Sequence, residues 1–102
     1  MLNLALDIDR KTEEKLQKIL SQYRKKEVFA QNIIQYEISQ LRKALLNIQI
    51  DLNKFEDKYN LSSDAFYKKF QAGELGDDED YMLWAGIYEM FIENQNRLGE
   101  LV

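Results

Sequence analysis

Between Glu27 and Tyr59 the chain has neither glycine nor proline, so nothing local interrupts a helix there. Ile34, Ile38, Leu41, Leu45, Ile48, Leu52, Phe55 and Tyr59 follow at steps of 4, 3, 4, 3, 4, 3 and 4, the repeat of a seam between packed helices. A helix over 27–59 would run ~50 Å at about 1.5 Å per residue, whereas a compact domain of this size has a radius of gyration of only ~13 Å. The spacing therefore predicts a helix longer than one small globule holds. Part of its seam, at Ile34, Ile38, Leu41 and Leu45, is expected to meet a second chain. Parallel pairing in this register would set Asp51 against Glu56, and no buried Asn fixes the register. Crossing or antiparallel helices fit better.

The other elements follow from patterning and caps. Leu2, Leu4, Leu6 and Ile8 alternate with Asn3, Ala5 and Asp7, the period of a half-buried strand. A lone strand cannot satisfy its own backbone donors and acceptors, so this ribbon is expected to pair with the same segment of another copy. Asp9 or Thr12 can cap a first helix reaching Tyr23, with Leu16, Ile19, Leu20 and Tyr23 on one face. Ser62 fits the N-cap of a short helix, Leu61 and Phe66 have the spacing of a hydrophobic staple, and Gly73 suits a left-handed stop. A last helix from about Asp78 carries Tyr81, Trp84, Tyr88, Phe91, Gln95, Leu98 and Val102 as a second seam, flanked by Leu83, Ile87 and Met90. The expected fold is mainly α, a short inter-chain strand followed by four helices. Its two regions are 1–54 for dimerisation and 55–102 for partner binding.

Composition narrows the function. The 102 residues include no cysteine and no histidine, which removes disulfides, zinc–thiolate sites, thiol nucleophiles and the commonest general base. No phosphate loop or nucleophile elbow is present, so neither enzymatic chemistry nor a cofactor is expected. The start lacks the pattern of a signal peptide and no apolar run approaches membrane-spanning length. A cytoplasmic protein without a membrane role is expected. The net charge of −4 is unevenly spread: residues 1–54 carry 10 Lys/Arg against 7 Asp/Glu, and 55–102 carry 4 against 11. Such a split suggests two differently charged contacts.

The acidic run Asp77, Asp78, Glu79 and Asp80 lies directly before Tyr81 and Trp84. Four successive helical residues point about 100° apart, so they cannot converge on one ion, and no calcium-loop spacing is present. The run suits a helix start, where carboxylates meet the positive end of the macrodipole. It also exceeds what capping requires. Beside the aromatics it would suit a partner's Arg/Lys surface. Expected contacts are Phe66, Phe70, Tyr81, Trp84 and Tyr88, rimmed by Glu74, Asp77, Asp78 and Asp80.

LALDIDRKTEEKLQKIL followed by KEVFAQNIIQYEI resembles the strand and two helices of the ribbon-helix-helix family over roughly residues 2–45. The resemblance implies a dimer with paired strands formed by Leu2, Leu4, Leu6 and Ile8. Many members are antitoxins with a dimerising, DNA-binding front and a C-terminal segment that wraps a toxin, so the acidic half 55–102 would neutralise a basic partner enzyme. DNA contact would fall to Asn3 on the ribbon and to Arg10, Lys11, Arg24, Lys25 and Lys26 on phosphates. Asp7 would face the phosphate field with the wrong sign. The alternative is a helical homo-oligomer in which the aromatics are core and no toxin partner exists.

Overall fold

A computed structural model describes residues 1–102. It contains α1 (Arg10–Ser21), α2 (Lys26–Tyr59), α3 (Ser63–Gln71) and α4 (Glu79–Leu101). The long helix expected over 27–59 is present, and the chain is mainly α as the periodicity required. The N-terminal ribbon is not: residues 1–9 carry no regular structure and no strand occurs anywhere. The ribbon-helix-helix fold is therefore corrected to an all-helical one. The physical reason is that alternation describes which side chains could share a face, while a strand also needs an edge to bond with. This chain supplies none. Leu2, Leu4, Leu6 and Ile8 are all exposed, and none meets the core.

The chain divides into two compact units, Met1–Gln35 and Tyr36–Val102. In the first, α1 starts after Asp9, whose extended backbone precedes the helix without a side-chain cap bond. Tyr23 packs edge-on against Phe29 at 5.4 Å between ring centroids, and Asn32 Nδ2 donates to the Tyr23 hydroxyl at 3.1 Å. Leu16, Leu20, Tyr23 and Phe29 are half-buried, and no residue of this unit is buried.

The second unit has a true core. Ile48, Leu52, Phe66, Trp84 and Ala85 form its centre, with Phe55, Tyr59, Tyr81, Tyr88 and Phe91 packed around them. Within it, α2 and α4 run in opposite directions: Lys58 and Tyr59 meet Asp80, while Glu37 lies against Arg97. α3 adds Phe66, stacked on Trp84 at 3.8 Å with ring planes 5° apart. Full burial of a large apolar side chain contributes about 1.5–3 kcal/mol. Trp84, Phe66 and Leu52 are the three largest fully buried side chains, so each contributes to this unit's stability on that scale.

Local signals set the ends of α3 and α4. The Ser62 side chain accepts from the Ala65 backbone N–H at 3.2 Å, as its N-cap position required. At the other end Gly73 has φ +73. Its N–H donates to the Phe70 carbonyl, and that of Glu74 to the Lys69 carbonyl. This is the paired bonding that closes a helix through a left-handed residue. α4 begins after Asp78, whose carboxylate accepts from the Asp80 N–H at 2.8 Å.

Candidate interaction surface

The four acids at 77–80 separate into distinct roles. Asp77 lies before the helix and Asp78 caps it, with Glu79 as its first exposed residue. Asp80 turns back onto the end of α2, where it accepts from Lys58 Nζ at 2.6 Å and from the Tyr59 hydroxyl at 2.6 Å. These two bonds, that of Lys58 first, lower the Asp80 pKa below the ordinary carboxylate range. The same contact raises Lys58 and Tyr59, in each case chiefly through the hydrogen bond with Asp80. Asp80 is thus a latch within the unit as well as part of its acidic surface.

The aromatic group also resolves into interior and rim. Phe66 and Trp84 are fully buried, and Trp84 Nε1 donates to Ser63 Oγ at 2.9 Å. Ser63 N–H in turn donates to Glu56 Oε2 at 2.8 Å, so one short chain of bonds ties α2, α3 and α4 together. In this fold neither Phe66 nor Trp84 has surface to offer a partner. A Trp84→Ala change would disturb the core before it touched any contact. Phe70, Tyr81 and Tyr88 are half-buried around this core. The Tyr88 hydroxyl reaches Asp64 at 3.5 Å, and burial, aided by Asp64, raises its pKa. Glu74 and Asp77 are exposed on the segment between α3 and α4.

The remaining expected site residues are scattered. Of the seam residues assigned to a second chain, Ile38 and Leu41 are buried, Leu45 is half-buried and Ile34 is exposed. Asn3, Arg10, Lys11, Arg24, Lys25 and Lys26 are exposed. With the strand gone, Asn3 has no ribbon to carry it into a groove.

Outside the seams, sequence reasoning marked Leu83 and Ile87 only as flanks of the last helix's stripe and missed Leu46 and the grooves themselves. Between α2 and α4 lies an open groove of ≈ 470 Å³, floored by Phe55, Leu83 and Ile87 and edged by Asp51, Lys54, Lys58 and Asp80. A second, of ≈ 400 Å³, is lined by Arg42, Leu45, Leu46, Gln49 and Phe91. Leu46 is 68% exposed and Leu83 55%. These residues sit one position away from the seam (Leu46 beside Leu45, Leu83 beside Trp84), so a width-one stripe does not include them. The signal that could have found them is the excess of apolar residues over what each seam needs.

The grooves lie on a negatively charged unit. Residues 36–102 carry 7 Lys/Arg against 13 Asp/Glu, and only Glu37, Asp51, Asp64 and Asp80 of those acids enter ion pairs. No three carboxylates gather in a way that could hold a metal ion. No helix is long and apolar enough to cross a membrane. Protein-family models, curated proteins and solved structures were compared with the chain, and none matches. Its surface must therefore speak for its function.

Proposed function

We propose that this chain is an interaction protein that silences a basic partner enzyme by covering it, the role of an antitoxin. The observation that carries this reading is the surface of Tyr36–Val102, where two open apolar grooves lie on a unit with 13 Asp/Glu against 7 Lys/Arg, nine of those acids outside any ion pair. Apolar contacts in such grooves supply affinity, while a surplus of negative charge steers a positively charged protein and selects against acidic ones. The contact side chains on this reading are Leu46 and Leu83 at the grooves, with the exposed carboxylates Glu74 and Asp77 of the segment between α3 and α4 as further contacts for positive charge. The mechanism is occlusion, with no bond made or broken.

Affinity purification from the native host, followed by mass spectrometry and a growth-rescue assay with the recovered protein, tests it. The expected result is a basic protein whose toxicity the wild type relieves, and which the double variant Leu46→Glu, Leu83→Glu no longer relieves while keeping its helicity. Undiminished rescue by that folded double variant would contradict the assignment of the grooves. Recovery of no basic protein would contradict the function.

A second reading, a helical homo-oligomer, is favoured by one specific observation. Phe66 and Trp84 serve the protein's own core, the commoner fate of aromatics at helical spacing. In that case the acids serve capping and solubility.

A further inference from the structure

The outer face of α4 combines apolar, small and acidic residues. Met82, Gly86, Glu89 and Glu93 are all exposed and follow one another at helical steps of 4, 3 and 4, so they share one side of the helix. Met90, 54% exposed, flanks them. A Cβ added at Gly86 would meet nothing within 4 Å, so no packing inside this chain requires a glycine there. Glycine in the middle of an exposed helix weakens that helix. What it offers in return is close backbone approach by another element. Glu89 and Glu93 enter no ion pair, and Glu89 only accepts the Tyr67 hydroxyl at 2.7 Å.

The same chain carries a surface of opposite sign. On α1, Lys11, Lys15 and Lys18 are exposed at steps of 4 and 3, again one side of a helix. None of them enters an ion pair; in α1 only Arg10 does, with Glu14. Ile19, 48% exposed, lies beside this basic column. α1 belongs to the unit without a single buried residue, which leaves its stability to be completed by something outside that unit. α1 has 12 residues, a length of ~18 Å at about 1.5 Å per residue. The stretch of α4 from Met82 to Glu93 has the same number of residues.

We infer that α1 of one copy docks on the outer face of α4 of a second copy, with Ile19 against Met82, Gly86 and Met90, and with Lys11, Lys15 and Lys18 facing Glu89 and Glu93. Pairing α4 with α4 would set carboxylates against carboxylates, and pairing α1 with α1 would set lysines against lysines. Both are unfavourable, so charge selects the heterologous match. If each copy gives and receives one α1, the arrangement closes as a two-fold dimer; otherwise it propagates. The inference is independent of the proposed basic partner, because it concerns purified protein alone.

Sedimentation velocity and equilibrium on the full chain test it, with circular dichroism as the check on folding. Wild type is expected to self-associate at low salt and to dissociate as added salt screens the contact. The triple variant Lys11→Glu, Lys15→Glu, Lys18→Glu should weaken association by about tenfold or more, given the cost of like charges in contact. The double variant Glu89→Lys, Glu93→Lys should do the same, and an equimolar mixture of the two variants should recover association, since each now complements the other. Gly86→Leu gives an independent reading: it strengthens the helix while blocking close approach, so it should lower association without lowering helicity. A wild type that stays monomeric to about 100 µM, a strength of contact too weak to matter, would overturn the proposal. So would association unchanged in the triple variant, or a charge-swapped mixture that stays apart.

Discussion

At the scale of single residues, Asp80 does more than its place in an acidic run suggests. It accepts from both Lys58 and Tyr59, and the three pKa shifts share this cause. Because Asp80 is lowered in the folded state, its contribution to stability is present above the ordinary carboxylate pKa of about 3.9 and is lost as pH falls through the lower folded value. Lys58 and Tyr59 are raised, so theirs is present below about 10 and is lost as pH rises through the higher folded values. Asp80→Asn is therefore expected to lower stability across neutral pH and to flatten both the acid and the alkaline limbs. Urea denaturation midpoints between pH 3 and about 11, spanning those values, provide the check. Limbs as steep in the variant as in the wild type would rule out the latch. The sequence showed Asp80 as a helix-start carboxylate, and local rules cannot show more, because Lys58 and Tyr59 lie more than twenty residues away along the chain.

At the scale of elements, what was legible depended on whether a signal is local. Ser62 capped α3 and Gly73 closed it because each acts on the backbone within a few residues. The uninterrupted repeat over 27–59 specified α2, since helical periodicity needs no distant partner. The alternation of Leu2, Leu4, Leu6 and Ile8 misled, because a strand depends on another strand that this chain does not contain. The site was less legible than the fold. Trp84 and Phe66 have the periodicity of core and of contact surface alike, and only packing showed them to be core. Glycines divide in the same way. Gly73 has positive φ while Gly86 sits mid-helix in open space. Substitution by alanine should thus act with opposite signs: Gly86→Ala is expected to stabilise by about 0.5–1 kcal/mol, and Gly73→Ala to destabilise by about 1 kcal/mol or more. Thermal denaturation of the two variants measures this. Equal effects would mean that Gly86 has a packing role within the chain.

At the scale of the whole molecule, the two units differ in how well each can sustain itself. Residues 36–102 enclose a core of stacked aromatics tied by the Glu56–Ser63–Trp84 bonds. Residues 1–35 bury nothing fully, and their best internal contact is Tyr23 against Phe29 and Asn32. A helical segment of that length gains most of its stability from tertiary packing of its apolar face, and here that face has little to pack on. One unit is thus self-sufficient, and the other is the one that a second polypeptide would complete on the docking proposed above. Backbone hydrogen exchange, resolved along the chain by mass spectrometry, tests this most directly. In dilute protein the amides of 45–91 should be strongly protected and those of 10–33 weakly, with protection of 10–33 rising as protein concentration rises or a partner is added. Strong protection of both stretches in dilute, monomeric protein would contradict the account.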